Sequence, residues 1–168
     1  MRLRELKAED APLMLEWMHD PDVVKDLQTN FAEKTLADCE SFIRAAAAPG
    51  RDLHLAITSD TEDEYLGTVS LKHITGEKAE FAITIRKCAM GKGISSEAMR
   101  RILRIGLEEM KLKRIYWCVS PDNARAVRFY DKNGYQRTNA PENTEGYTKE
   151  QAGKYIWYEE FPGRQQHS

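Results

Sequence analysis

The sequence predicts a single mixed α/β domain, and three observations support that fold class. The opening 48 residues favour one strand followed by two helices. Residues 53–85 contain three segments of alternating apolar and polar residues joined by short turns, a pattern typical of an antiparallel meander. After residue 93 the hydrophobic period changes from two to about 3.6, and helices alternate with strands. A chain of 168 residues has the length of one domain.

The opening unit is defined by its capping residues. Met1–Leu6 alternates apolar and charged residues and is predicted to be a strand. Asp10 is predicted to cap a helix over residues 11–19, and Thr35 to begin a second helix that ends at Pro49-Gly50. Between the helices, residues 22–33 show no clear period and are expected to form a loop with one helical turn.

The remaining elements follow from their periods and their turn residues. Strands are expected around residues 53–57, 69–71, 81–85, 114–119, 135–138 and 155–161, and helices over 95–110 and 123–132. We expect residues 1–163 to form the domain and residues 164–168 to be a flexible tail.

Composition excludes several classes of protein. The formal net charge is −2 and the charged residues are well mixed, so we expect no nucleic-acid partner. No apolar stretch approaches the ~20 residues of a transmembrane helix, and no membrane partner is expected. Three scattered cysteines and the lack of a secretory signal favour a reduced, cytoplasmic protein. The histidines His19, His54, His73 and His167 are too far apart to predict a metal site.

The segment Met90–Ala98, with sequence MGKGISSEA, joins a predicted strand to an amphipathic helix. Its two glycines permit positive φ, and the first N–H groups of a helix have no internal partner, which together favour an anion site. The alternative is a glycine turn with a serine cap and no ligand. Neither GxxxxGK[ST] nor GxGxxG is complete here, so two common nucleotide-binding loops are disfavoured.

A second segment, Ser120–Tyr135, contains another helix with a clear beginning and end. Asn123 is placed to cap it, and Gly134 is placed to end it in the left-handed conformation. Ala126 and Tyr130 lie one turn apart on the same face of this helix.

These two segments resemble a known family. The pattern Asn-x-x-Ala-x-x-x-Tyr-x-x-x-Gly-Tyr at residues 123–135 resembles the second conserved segment of the GNAT superfamily of N-acetyltransferases. The glycine segment resembles the loop of that family that binds the pyrophosphate of acetyl-CoA, although Met90 and Ser95 differ from the commonest family residues. The two segments occur in the family order and separation, and the resemblance covers at least residues 65–135.

The resemblance implies a GNAT-like α/β (α+β) fold. Its mixed, mostly antiparallel central sheet would contain a splayed parallel strand pair and be flanked by about four helices. Acetyl-CoA would be the cosubstrate, and the pantetheine arm would lie between the splayed strands. The residues that would bind acetyl-CoA are Ile83, Ile85, Arg86, Gly91, Lys92, Gly93, Ile94, Ser95, Ser96 and Asn123.

The resemblance also suggests roles in transfer of an acetyl group to an amine. Tyr130 would donate a proton to the departing sulfur, whereas its helical position alone favours a tyrosine packed in the core. Glu80 is the first candidate for accepting the proton of the amine, and a solvated strand glutamate is the alternative. Glu16, Asp20 and His73 are lesser candidates. Asn123 would contact the cofactor, cap its helix, or do both.

The acceptor is expected to be a primary amine. The segment Leu15–Pro21 resembles the branch that includes ribosomal-protein N-terminal, polyamine and amino-sugar acetyltransferases. We predict a small-molecule amine, with a protein N-terminus as the alternative. A non-catalytic acyl-CoA-binding regulator is a hypothesis from another functional class. A homodimer formed through a sheet edge or the C-terminal strand is a further hypothesis, which no feature of the sequence supports.

Overall fold

A computed structural model describes residues 1–27, 29–48, 50, 52–142 and 146–163. The expected tail at 164–168, the helix-ending Pro49 and His167 lie outside the described residues. Within the described ranges, no helix is long and apolar enough to cross a bilayer. The same ranges contain no group of three or more His, Cys, Asp or Glu side chains that could hold a metal ion.

One seven-stranded sheet forms the centre of the molecule. Its strands are β1 (Arg2–Glu5), β2 (Leu53–Thr58), β3 (Tyr65–Thr75), β4 (Lys78–Ile85), β5 (Arg114–Val119), β6 (Gln136–Thr138) and β7 (Ile156–Glu160). Their order across the sheet is β1-β2-β3-β4-β5-β7-β6. The β4–β5 pair is parallel and the other pairs are antiparallel, which confirms the predicted mostly antiparallel sheet with one parallel pair.

Six α-helices lie in the described chain. They are α1 (Ala11–Met18), α2 (Pro21–Val24), α3 (Leu36–Ala47), α4 (Ile94–Arg104), α5 (Ala124–Lys132) and α6 (Lys149–Ala152). Helices α2 and α6 are single turns, so four longer helices remain, as expected. Short 3₁₀ segments occur at Ala8–Asp10, Phe31–Glu33 and Lys87–Ala89.

Two predicted helix starts had different outcomes. Thr35 caps α3 through a capping box, because its hydroxyl accepts the Asp38 N–H while the Asp38 carboxylate accepts the Thr35 N–H. The prediction that Asp10 caps α1 was wrong, because its side chain bonds to other groups. Its carboxylate accepts the Lys7 N–H and a bidentate pair of bonds from Arg4, and it leaves the amides of α1 uncapped. The nearby guanidinium is a stronger donor than a neutral helix amide.

Both faces of the sheet are covered. Helices α4 and α5 pack on the face that carries Val69, Phe81 and Trp117, which forms the largest apolar cluster. Helices α1 and α3 pack on the opposite face around Ala56 and Tyr65. A smaller cluster of Tyr116, Ala152 and Trp157 lies on that second face near α6. The second face therefore has helices at both ends and a stretch of β3, β4 and β5 between them.

Candidate active site

The parallel strands β4 and β5 separate along their length. They pair only from Lys78–Glu80 to Arg114–Tyr116. Beyond Glu80, β4 continues to Ile85 while pairing with β3, and β5 continues to Val119 while pairing with β7. The inner edges of both strands therefore present backbone groups that are not paired with each other. We call the space between these edges the interstrand gap.

The chain reaches the glycine turn (Met90–Gly93) after β4. Gly91 and Gly93 are exposed and have φ of 75° and 76°, a conformation that costs glycine little. Gly93 is the N-cap of α4 and supplies no side-chain acceptor. The amides of residues 94–96 make no hydrogen bond to any described residue, and they carry the positive end of the helix dipole. The turn therefore presents free donors to solvent.

A serine cap, the alternative for this segment, is not what the structure contains. The hydroxyl of Ser96 accepts a hydrogen bond from Arg100 Nη1 at 2.9 Å, and no serine side chain caps α4. The first amides of α4 therefore stay available to an anion.

Two cations lie beside the glycine turn. Lys92 is exposed within it. Arg125, in the first turn of α5, places Nη2 3.8 Å from where a Cβ on Gly91 would lie. Neither side chain forms an ion pair within the described chain. The sequence prediction missed Arg125 because an exposed helical arginine looks like any solvated surface residue.

Arg86 points inward, away from this pair of cations. Its Nε donates to Glu16 Oε2 at 2.6 Å and its Nη1 to the Tyr65 carbonyl at 3.1 Å, and the residue is 8% exposed. The hydrogen bond from Arg86 lowers the pKa of Glu16, so this lesser candidate for the base is a paired carboxylate. The role of Arg86 in cofactor binding stays a prediction.

The other predicted cofactor residues lie along the gap or at the start of α5. Ile85 is buried and Ile83 half-buried, and both pack toward the α4 side of the sheet. Asn123 caps α5, because its Oδ1 accepts the Ala126 N–H at 3.2 Å. This confirms the capping role, and a contact with cofactor stays a prediction.

Tyr130 lies in an aromatic cluster on the α5 side of the sheet. Its ring centroid is 5.6 Å from Trp117 and 5.0 Å from Tyr158. Its hydroxyl makes no hydrogen bond to a described residue and is not enclosed. Burial of the ring raises the pKa of Tyr130, which keeps the phenol protonated. The Trp117 Nε1–H, on the strand that borders the gap, is buried without an acceptor in the described chain, so an acceptor atom of a bound ligand could satisfy it.

Glu80 lies on the opposite face, in what we call the polar cluster (His73, Glu80, Cys118 and Tyr147). Glu80 is 2% exposed, which rules out the solvated strand glutamate. His73 Nδ1 is 2.9 Å from its Oε1, and the Tyr147 hydroxyl donates to its Oε2 at 3.1 Å. Cys118 Sγ donates to the Tyr147 hydroxyl at 3.4 Å. Each carboxylate oxygen therefore has a partner.

Backbone geometry brings His73 into this cluster. The β3–β4 register shifts between Lys72 and Thr75, and His73 adopts φ of 54° there. A left-handed non-glycine residue costs on the order of 1–3 kcal/mol and persists where its surroundings enforce it. Asp20, another lesser candidate, instead caps α2 through a bond from the Asp22 N–H.

Tyr147 was missed in the sequence, although a local pattern marks its position. Thr148 and Gln151 form a capping box that begins α6, and the residue before it is Tyr147. The box Thr-x-x-Gln predicts a helix that starts directly after Tyr147. Tyr147 also stacks edge-on with Tyr155 and Trp157.

Cys118 lies near groups on both faces of the sheet. It lies on β5 beyond the last parallel pair, and it interacts electrostatically with both Glu80 and Tyr130. Burial raises the pKa of Cys118 to about 11, so it is a neutral thiol at pH 7. Tyr130 packs against Trp117 of β5, and Glu80 belongs to the last parallel pair, so both lie beside the interstrand gap, on opposite faces of the sheet.

Comparison with known proteins gives a consistent result. The family model described as "Acetyltransferase (GNAT) domain" matches residues 1–136. The chain is 27% identical over 141 residues to "Uncharacterized N-acetyltransferase p20" of Bacillus licheniformis, covering 82% of this chain and 79% of that protein. It is 25% identical over 141 residues to spermidine N(1)-acetyltransferase of Escherichia coli (strain K12), covering 80% of this chain and 72% of that protein.

The fold matches solved structures over nearly the whole chain. One is spermidine N-acetyltransferase from Vibrio cholerae in complex with CoA and spermine, with a TM-score of 0.78 at 18% identity, covering 95% of this chain and 94% of that one. At this identity the likeness supports the fold alone.

Proposed function

Because the chain belongs to the GNAT acetyltransferase family, we propose that it transfers the acetyl group of acetyl-CoA directly to a primary amine of a small molecule, such as a polyamine or an amino sugar. The observation that carries this proposal is the interstrand gap, which opens beside Tyr130 and leads to a glycine turn with free amides.

Acetyl-CoA supplies an activated acyl group, a thioester carbonyl, when it is bound. The amides of residues 94–96 and the cations Lys92 and Arg125 would hold its pyrophosphate. The open edges of β4 and β5, lined in part by Ile83 and Ile85, would pair with the amides of the pantetheine arm. A free N–H at this edge could also stabilise the negative charge that develops on the carbonyl oxygen.

Tyr130 would give its hydroxyl proton to the sulfur as the carbon–sulfur bond breaks. Three features support this role: the hydroxyl has no partner in the described chain, it is not enclosed, and burial of the ring keeps the phenol protonated. A general acid in this position typically contributes about 10²–10⁴-fold to the rate.

We place the loss of the amine proton at Glu80 and the groups bonded to it. Glu80 lies at the end of the parallel pairing, on the face opposite Tyr130. An amine arriving from the second face would thus meet the thioester across the gap, with acceptor and donor of protons on opposite sides. The aromatic side chains Tyr147, Tyr155 and Trp157 border this approach.

Release of free coenzyme A thiol from acetyl-CoA tests the proposal. The panel would contain spermidine, spermine, an amino sugar and a peptide with a free N-terminus, with acetyl-CoA binding measured in parallel by calorimetry. We expect binding together with turnover on at least one small amine. Turnover on the peptide alone would favour a protein N-terminal acetyltransferase, and binding without any turnover would favour a regulator. Failure to bind any coenzyme A ester would refute the proposal.

A further inference from the structure

His73 and Glu80 are hydrogen-bonded to each other but differ in their access to solvent. The side chain of His73 is 23% exposed, whereas that of Glu80 is 3% exposed. Both Glu80 oxygens are occupied, one by His73 Nδ1 and the other by the Tyr147 hydroxyl. The outer nitrogen of His73, Nε2, makes no hydrogen bond to a described residue and is not enclosed. The imidazole therefore has a ring nitrogen without a partner in the described chain, whereas both carboxylate oxygens have one.

We propose that His73 Nε2 is the atom that takes the proton from the acceptor amine, and that Glu80 is the positioning residue that orients it. This inference rests on the proposed function. An ionised Glu80 accepts the Nδ1–H of the neutral ring, which fixes the tautomer with a lone pair on Nε2. The same carboxylate stabilises the imidazolium that forms when Nε2 takes up a proton. Tyr147 holds the second oxygen and so fixes the direction of the carboxylate.

The proton count balances with these groups. The amine arrives as an ammonium with three protons, and the amide product keeps one. His73 Nε2 takes the first and passes it to solvent, which leaves the nitrogen lone pair free to attack the thioester carbonyl. As the carbon–nitrogen bond forms and the carbon–sulfur bond breaks, the electron pair of the latter goes to sulfur. Tyr130 protonates the sulfur. The nitrogen then loses its second proton, which restores the Tyr130 hydroxyl, and the amide keeps the remaining one.

The ionisable groups around His73 and Glu80 are less suited to accept the amine proton. Burial and the nearby Cys118 and Glu80 raise the pKa of Tyr147, and burial raises that of Cys118 to about 11, so both stay protonated at neutral pH. Burial lowers the pKa of His54, which lies two strands from Glu80 and is bonded to a serine hydroxyl. Lys72 faces Glu80 across the β3–β4 register and Asp52 interacts with His54, so each contributes charge to this face.

The first test reads the tautomer directly and needs no turnover. Long-range ¹H–¹⁵N correlation NMR on the whole protein, with ¹⁵N-labelled histidine, distinguishes a protonated Nδ1 from a protonated Nε2 in the neutral ring. We expect His73 to carry its proton on Nδ1. A neutral His73 protonated on Nε2 would overturn the proposal whether or not the protein acetylates any amine.

The second test compares variants in the thiol-release assay. His73→Asn keeps a residue that tolerates left-handed backbone, and we expect it to lower kcat by about 10²-fold or more while acetyl-CoA affinity is unchanged. His73→Gly should recover activity when imidazole is added, and Glu80→Gln should not. His54→Asn is the matched control and should behave as the wild type.

The outcomes separate this inference from the proposed function. If His73→Asn and His73→Gly retain turnover close to the wild type while Glu80→Gln loses it, Glu80 accepts the proton itself and the inference fails. In that case the acetyltransferase assignment survives. If the wild type releases no thiol with any amine, the proposed function fails, and the NMR tautomer alone decides the structural part of the inference.

Discussion

The protonation states of individual side chains set what the candidate site can do at neutral pH. Tyr130, Tyr147 and Cys118 all have raised pKa values because burial disfavours their charged forms. Each is therefore neutral at pH 7 and can donate a hydrogen bond. The His73–Glu80 pair differs from these three groups, because it joins a side chain that reaches solvent, His73, to one that is enclosed, Glu80.

Removing the hydroxyl of Tyr130 tests the acid. We expect Tyr130→Phe to lower kcat by about 10²-fold. The affinity for acetyl-CoA should stay the same, because the ring keeps its aromatic contacts. Tyr158→Phe is a suitable control, since its hydroxyl lies in the same cluster but is bonded to Asp131 at 2.9 Å. Unchanged turnover in Tyr130→Phe would exclude the acid role.

The cysteines should differ in reactivity with pH. Cys88 is exposed, whereas burial raises the pKa of Cys118 to about 11. Because the thiolate is the reactive form, a raised pKa means that Cys118 reacts only as the pH rises toward that value. We expect iodoacetamide at pH 7.5 to label Cys88 well before Cys118, with the difference narrowing toward pH 10, as followed by peptide mass spectrometry. Equal rates at pH 7.5 would show that the polar cluster is open to solvent.

At the scale of elements, the glycine turn and the start of α5 form the proposed anion site. Gly93 is required there for two reasons, its φ of 76° and the lack of a side chain over the free amides. A Cβ at this position would meet no other atom within 4 Å, so the space above the turn is open.

Adding a negative charge at this turn should block the diphosphate. We expect Gly93→Asp to weaken acetyl-CoA binding by about ten-fold or more, measured by calorimetry, because the carboxylate lies where the phosphates would. Gly76→Asp is a matched control, with a φ of 60°, equal open space and a hairpin position between β3 and β4. Similar losses of affinity in the two variants would show that strain or net charge causes the effect.

Arg125 should contribute a contact that a neighbour on the same helix does not. We expect Arg125→Gln to weaken acetyl-CoA binding by about ten-fold at low salt, with a smaller effect at high salt. Arg128→Gln removes the same charge from another exposed position on α5 and should bind as the wild type does. Equal affinities for both variants and the wild type would remove Arg125 from the site.

The order and type of the elements could be predicted because local pattern and fold agree. The residue patterns of β2 and β4 and the helix-starting Thr35 are local features, and the structure confirms the strands and the helix that they predict. The helix predicted over 95–110 instead changes to a π-helix at Ile105–Glu109. Gly106 lies there against Ile115 and Leu71, each 2.8 Å from where its Cβ would be. That close approach is a tertiary contact. The hydrophobic periodicity of the sequence therefore could not predict it.

Glu80 and His73 were each named from the sequence, but the grouping of site residues was predictable only where one segment contains them. The glycine turn and the 123–135 helix are continuous in sequence and were found. The polar cluster joins His73, Glu80, Cys118 and Tyr147 from four separate segments, and it depends on an irregular β3–β4 register. Such a register shift arises from strand pairing, which no single segment specifies.

At the scale of the whole molecule, helices lie on both faces of the sheet that contains the interstrand gap. The α4–α5 layer carries Tyr130 and the glycine turn, and the opposite face carries the polar cluster between the α1–α3 pair and α6. The sheet thus separates the proposed cofactor side from the proposed acceptor side. The gap is the place where they meet.

Backbone amide hydrogen exchange with and without acetyl-CoA tests the central claim most directly. If the ligand occupies the interstrand gap and the glycine turn, protection should concentrate in peptides covering residues 80–97 and 114–126, and Gly93→Asp should abolish it at the same ligand concentration. Protection confined to other segments, such as β1, β2 and their connections, would contradict this placement of acetyl-CoA.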